Sequence, residues 1–317
     1  MVRQCVRPQG VRLVRVVSLL PSATEIAVAV GLGDQLLGRS HECDFPPWVE
    51  QLPVLTATKL RKGLTSREID DRVGEIVSQG LSVYEVNADL LRALKPDVIL
   101  TQSQCAVCAV TPRDLEEALS RWVGSEPVLL SLAPDALGDA WDDIQKVADA
   151  TGRSAEAGPV IARLQERLDA LGSRPSRPKI RPRIGCVEWI EPLMAAGNWV
   201  PELVEAAGGV PLFAQAGQHS PWLDWSELRA ADPDIIILMP CGYKISHSLG
   251  EVGPMPNHPE WNMLSAVRSG RIFVADGHHF FNRPGPRLVE SAEIIAQIID
   301  APAGANGSEE QGWVRLR

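Results

Sequence analysis

No apolar run in this 317-residue chain approaches the about 20 residues that a bilayer-spanning helix needs, so no membrane insertion is expected. Met1 to Arg15 carries arginines but no apolar core followed by a small-residue cleavage site, so it does not read as a secretory signal. The chain as written is therefore expected in the cytoplasm, or in the periplasm if its start lies elsewhere. Basic blocks are also missing, and the formal net charge of -9 disfavours a nucleic-acid partner. Six cysteines in a chain this long do not make a disulfide framework. Nucleophile elbow, phosphate loop and dinucleotide fingerprint are all absent. Gly31-Leu32-Gly33 follows a helix instead of opening one, so it is not a phosphate cradle.

What the chain does have is a repeat. Leu91-Arg92-Ala93-Leu94-Lys95-Pro96-Asp97-Val98-Ile99-Leu100 returns as Leu228-Arg229-Ala230-Ala231-Asp232-Pro233-Asp234-Ile235-Ile236-Ile237. Glu25-Ile26-Ala27-Val28-Ala29-Val30-Gly31 resembles Glu202-Leu203-Val204-Glu205-Ala206-Ala207-Gly208, and the two pairs occur in the same order. Two similar lobes imply a cleft between them, and such an interface is a preferred place to hold a small molecule. Length and a 45% hydrophobic content suit two domains with cores of their own.

Strands are expected at Arg15 to Leu20, Gln35 to Arg39, Asp97 to Thr101 and Pro127 to Leu130. Helices alternate with them. One starts at a capping box Ser22-Ala23-Thr24-Glu25 and stops at Gly31; another starts at a capping box Thr65-Ser66-Arg67-Glu68. Asn87 caps a third, to Leu94, and Asp114 to Arg121 forms a fourth. This alternation indicates an α/β fold with parallel sheets covered by helices. In the middle, Asp135 to Ala150 and Ser154 to Leu171 read as two long helical patterns broken near Gly152. As one bent rod of about forty residues they would span about 60 Å and brace two lobes. Strands and helices resume near Arg183 and close with a helix from Pro286 to Ile299. The resulting division is an N-terminal α/β lobe over residues 14–133, a connecting helical segment over 134–173, a C-terminal α/β lobe over 182–300 and a flexible tail over 301–317.

Ordered along this frame, Val17-Ser18-Leu19-Leu20-Pro21-Ser22-Ala23-Thr24-Glu25, Cys43-Asp44-Phe45-Pro46-Pro47, Leu94-Lys95-Pro96-Asp97, Ala206-Ala207-Gly208-Gly209, Ala231-Asp232-Pro233-Asp234 and Arg283-Pro284-Gly285-Pro286-Arg287 form a set. It resembles the helical-backbone (class III) substrate-binding proteins of ABC importers for cobalamin, iron-siderophores and haem, and most of all the cobalamin-binding branch. The resemblance implies two Rossmann-like lobes joined by a long helix, with ligand between them and little lobe motion. It implies capture, storage or handover of a small molecule by a monomer, not an enzyme, with no required cofactor and an ABC importer permease as partner. It also implies one carboxylate on each lobe for docking on that permease. Asp89 falls at the first position as Asp where the family usually has Glu, and Glu227 lies near the second, displaced by one residue.

Ligands of open α/β sheets bind beyond the carboxyl ends of the strands. The segments there are rich in reactive groups: Ser40-His41-Glu42-Cys43-Asp44, Gln102 to Cys108, Glu188 to Glu191, Pro240 to Lys244 and Asp276 to Arg283. In one reading Trp189, Trp199, Trp222, Tyr243, Phe280 and Phe281 line a broad apolar pocket for a corrinoid, with Glu191 and Arg283 as polar contacts. In another, His41, Cys43, Cys105 and Cys108 hold zinc or iron, since Cys105-x-x-Cys108 has ligand spacing and His278 and His279 lie on the other lobe. That reading leads to a cytoplasmic metal-binding protein or metalloenzyme. Cobalamin or another corrinoid is the expected ligand, with an iron-siderophore or haem as alternatives.

Overall fold

The computed structural model describes residues 13–61, 63–79, 82–103, 110, 115 and 126–316. The first lobe opens with β1 (Val16–Ser18), α1 (Pro21–Ala29) and β2 (Leu36–Arg39). An antiparallel pair, β3 (Thr56–Thr58) and β4 (Tyr84–Val86), brackets α2 (Ser66–Ser78); α3 (Ala88–Leu94), β5 (Val98–Gln102) and β6 (Val128–Leu132) follow. The parallel sheet runs β2-β1-β5-β6. Side chains alternate along its strands. Val16, Val98 and Leu100 enter one apolar cluster, while Val17 and Ile99 enter the cluster on the opposite face. Both faces are therefore buried, which is why these strands read as continuous apolar runs.

Two expected helix starts form: Thr65 and Glu68 make the reciprocal capping box of α2, and Asn87 caps α3 through Leu90. The box at Ser22 does not. Helix α1 begins at Pro21, whose missing amide hydrogen is no loss in the first turn, and no side chain caps it. Glu25 is thereby free to face the other lobe. The helix expected over Asp114 to Arg121 lies outside the described residues.

The connecting segment is two helices, α4 (Leu137–Ala150) and α5 (Ser154–Ser173), with Gly152 at φ +72° between them. They pack on each other, so the single rod of forty residues is not formed. Helix α4 packs on α1 and β6, and α5, twenty residues or about 30 Å long, packs on the second lobe. Arg167 binds both carboxylate oxygens of Glu293 at 3.0 and 2.8 Å, and Arg174 binds those of Asp300 at 2.8 and 3.2 Å.

The second lobe contains β7 (Arg183–Trp189), β8 (Met194–Ala195), α6 (Val200–Ala206), β9 (Val210–Pro211), α7 (Trp225–Ala231), β10 (Ile235–Leu238), α8 (Ile245–Val252), α9 (Ser265–Arg268), β11 (Ile272–Ala275) and α10 (Leu288–Asp300). Its parallel strands stand in the order β9-β7-β10-β11, matching β2-β1-β5-β6 element for element. The sequence repeats occupy equivalent places. Lys95 and Asp232 end α3 and α7 in left-handed conformation. The carboxylates of Asp97 and Asp234 then accept the amides of Arg15 and Arg183 at 2.9 and 2.7 Å. Gly31 and Gly208 end α1 and α6 at φ +81° and +89°, values that favour glycine.

The end of the chain differs from the expected loose tail. Two short strands extend the second sheet: β13 (Trp313–Arg315) pairs antiparallel with β11, and β12 (Gly307–Ser308) pairs antiparallel with β13. Trp313 anchors them: it is buried, packs edge-on to Phe273 and donates its indole N–H to Gln297. Among the described residues no helix is long and apolar enough to cross a membrane.

Candidate functional site

The loops beyond the carboxyl ends of the two sheets meet. From the first lobe come Glu25 on α1 and Asp44 after β2; from the second come Asp276, His278, His279 and Arg283 after β11, and Arg287. The Arg283 guanidinium, 5% exposed, donates to Asp44 Oδ1 at 2.6 Å and to Glu25 Oε1 at 3.3 Å. Arg287 stands 3.9 Å from the same Glu25 oxygen. Charges this deep persist because each has an opposite partner. Burial, opposed by both guanidiniums, pushes the Glu25 carboxyl up to about 7.

Asp44 Oδ2 faces two imidazoles. His278 Nε2 lies 2.6 Å away and His279 Nε2 3.4 Å. Burial alone would raise the Asp44 carboxyl, but hydrogen bonds from His278, His279 and Arg283 hold it well below the usual carboxylate range. Asp276 pins the opposite side. Its Oδ1 accepts the backbone amides of His278 and His279, each at 2.9 Å, and its Oδ2 lies 2.7 Å from His279 Nδ1. Hydrogen bonds to Asp276 and Asp44, against the opposing effect of burial, raise His279 to about 9.

Other contacts tie the lobes around this centre. Glu251 Oε2 accepts from the Ser66 amide and hydroxyl at 2.8 and 2.7 Å, and Arg67 pairs with Glu191. The Arg287 guanidinium lies between two rings from opposite lobes, 4.1 Å from the centroid of Phe45 and 4.3 Å from that of Phe280. Such stacking places a cation over two π faces.

The aromatic residues expected to line a pocket separate into groups. Trp222 is 60% exposed, and Trp189 and Phe280 are half-buried. Tyr243 is buried against Trp189, with ring centroids 5.4 Å apart, and stacks on His247. Trp199 and Phe281, 5% and 1% exposed, belong to the apolar core, and Trp199 donates its indole N–H to the Phe281 carbonyl at 2.6 Å. Their expected place on a pocket wall is corrected accordingly: apolar packing and an internal hydrogen bond hold them inside. A cavity of about 440 Å³, lined by Leu249, Val252, Trp261, Ile272 and Leu316 among others, lies in the second lobe and includes none of the inter-lobe charges.

The expected metal set divides too. Cys105 and Cys108 lie outside the described residues. Cys43 is buried, and burial, against a hydrogen bond from Thr24, pushes its thiol up to about 12, far from a thiolate. His41 holds Thr56 Oγ1 at 2.7 Å through Nδ1, and burial lowers its pKa. Among the described residues the group whose donor atoms converge is Asp44, His278 and His279. The segments Ser40 to Asp44 and Asp276 to Arg283 stood out in the sequence, but not the pairing between them. The two carboxylates expected to dock a permease sit on equivalent helices. Asp89, in the first turn of α3, is 94% exposed and pairs with Arg92; Glu227, on α7, accepts the Asp224 amide at 2.9 Å.

The family described as periplasmic binding protein matches residues 16–278. An uncharacterized ABC transporter substrate-binding lipoprotein of Bacillus subtilis (strain 168), YvrC, is 21% identical over 291 residues, covering 90% of this chain and 79% of its own. A vitamin B12-binding protein of Vibrio cholerae serotype O1 is 24% identical over 290 residues, covering 90% and 88%. The periplasmic heme-binding protein RhuT from Roseiflexus sp. RS-1 superimposes with a TM-score of 0.67 at 20% identity, covering 92% of this chain and 99% of that one. At that identity the likeness shows the fold.

Proposed function

The chain belongs to the periplasmic binding protein family and is an ABC-type substrate-binding protein, and from that premise we propose that it captures a corrinoid of the vitamin B12 type between its lobes. The observation that carries this reading is that the carboxyl edges of two equivalent parallel sheets face each other, in a chain aligned over 90% of its length with a vitamin B12-binding relative. A corrin ring is broad and apolar with an amide rim. Trp189, Trp222 and Phe280 offer aromatic faces, Tyr243 backs Trp189, and Glu191 offers a polar contact, while Arg283, expected as a second one, is buried against Asp44 and Glu25 and sits behind this surface. Asp89 and Glu227 are the carboxylates through which the loaded protein would meet a permease, and the periplasm, or the outer face of the cytoplasmic membrane, is the compartment this role requires. Turnover plays no part in this reading.

Titration with cyanocobalamin, followed by tryptophan fluorescence and visible absorption, tests it. Saturation at one equivalent is expected, with Trp222→Ala and Phe280→Ala each weakening binding about tenfold, the loss of one buried aromatic contact. Haem is the second reading, favoured by two imidazoles at the inter-lobe face and by the heme-binding neighbour. Saturation by hemin with no response to cyanocobalamin would select it.

A further inference from the structure

We propose that Asp44, His278 and His279 form a binding site for a single first-row divalent transition-metal ion, of the zinc or iron(II) type, bridging the two lobes. The inference stands whether or not a corrinoid binds, and its test uses metal alone.

Three features argue for a metal in place of an ordinary ion-pair cluster. First, both imidazoles are oriented through the nitrogen that would not bind the ion. His279 Nδ1 is held by the Asp276 carboxylate at 2.7 Å and His278 Nδ1 by the Gly242 carbonyl at 3.2 Å. A carboxylate or carbonyl on one ring nitrogen fixes the tautomer that leaves the other as a lone-pair donor, as in most metal-binding histidines. Second, the donors converge. His278 Nε2, His279 Nε2 and a carboxylate oxygen of Asp44 all lie within 4.8 Å of one another. Ligands about 2.1 Å from a tetrahedral ion stand about 3.4 Å apart. The His279–Asp44 pair already has the 3.4 Å separation, and the His278–Asp44 pair, at 2.6 Å, must open slightly. Third, the carboxylate is aimed. Arg283 binds Oδ1 and leaves Oδ2 toward the imidazoles.

With Nδ1–H of His278 donated to Gly242, its Nε2 lone pair and the Asp44 oxygen are two electron-rich atoms in close contact. The Arg283 guanidinium flanks this pair, with Nη1 2.6 Å from Asp44 Oδ1 and Nη2 3.2 Å from His278 Nε2, so an ion bound here replaces that last contact and takes the His278 lone pair together with Asp44 Oδ2. Two imidazoles and one carboxylate suit zinc or iron(II) better than calcium or magnesium, which prefer oxygen. The three side chains are 22%, 29% and 19% exposed, so solvent or a ligand atom reaches the remaining coordination positions.

The test is calorimetric titration of the full chain, stripped with chelator, with zinc chloride, alongside the visible spectrum of the cobalt(II) form. One equivalent of zinc is expected to bind, with cobalt d–d bands and no thiolate charge-transfer band. His278→Gln combined with His279→Gln should abolish stoichiometric binding. Asp276→Asn should weaken it about 10–100-fold while keeping the stoichiometry. Cys105→Ser with Cys108→Ser should leave it unchanged. Circular dichroism confirms that the variants fold; if the histidine pair is needed for folding, X-ray absorption of the zinc-loaded wild type decides. Nitrogen and oxygen neighbours with imidazole scattering support the site. Sulfur neighbours, absence of stoichiometric binding, or unchanged binding in a folded histidine double variant overturns it.

Discussion

Glu25 illustrates how much a single side chain can depend on a distant part of the chain. It is a buried carboxyl whose partners, Arg283 and Arg287, lie in the other lobe. Its folded-state pKa of about 7 stands above its ordinary 4.5. The folded protein therefore holds this proton more tightly than the unfolded chain does. The associated stability is complete below about pH 4.5 and is lost as pH rises through about 7. Relative to Glu25→Gln, wild type should lose about 1–3 kcal/mol between pH 4.5 and 8, at no more than about 1.4 kcal/mol per pH unit. Urea denaturation of both proteins across that range checks this; parallel stability curves would show that Glu25 stays ionised. In the sequence Glu25 reads as part of a helix cap, because Ser-x-x-Glu has the spacing of one. The arginines that claim it are more than 250 residues away, at a sequence separation of 258 for Arg283. For the same reason Asp44 and His278, 234 positions apart, were each visible as reactive loop residues but not as a pair. Cys43 was legible as strand-adjacent, whereas its inert, buried thiol depends on the packing around Thr24.

At the scale of elements, legibility followed local chemistry. Helices α2 and α3 carry their start signals within four residues, and both signals are used. The repeated Pro-Asp turns were readable because each uses the same local device, a left-handed helix end and an aspartate that binds a neighbouring strand's amide. Strands β12 and β13 were hidden in a polar, glycine-rich segment, because tertiary pairing with β11 and the Trp313 anchor define them. The connecting helices carried the right periodicity, but whether they form a rod or fold on each other depends on their neighbours. Arg174 holds that arrangement in place, binding Asp300 and the Ala207 carbonyl at 2.8 Å. Arg174→Ala should cost about 1–3 kcal/mol, because it removes the donor of the Ala207 carbonyl and leaves Asp300 with the Ser176 hydroxyl at 2.6 Å in place of a guanidinium. A midpoint in urea equal to that of wild type would show the contact to be idle. Gly277 supports the loop that carries His278 and His279. A Cβ there would meet the Pro240 carbonyl oxygen and lie 2.7 Å from that of Met239. Gly277→Ala should therefore destabilise the fold by about 1–3 kcal/mol, as overpacking against backbone does, and thermal unfolding measures it.

In the molecule as a whole the two lobes repeat one parallel-strand order and turn the carboxyl edges of their sheets toward each other. Helix α4 packs on the first lobe and α5 on the second, while Ser66–Glu251 and Asp44–His278 cross between the lobes. This bracing leads to an expectation of little rigid-body movement on binding. Small-angle scattering profiles with and without saturating cyanocobalamin should superimpose, and a clear contraction would show a hinge. The most direct measurement is the equilibrium titration of the full chain with cyanocobalamin, read by tryptophan fluorescence and visible absorption together. Saturation at one equivalent, weakened by Trp222→Ala and Phe280→Ala but not by Cys43→Ser, is the expected result. A flat response in both signals would contradict a corrinoid-binding role.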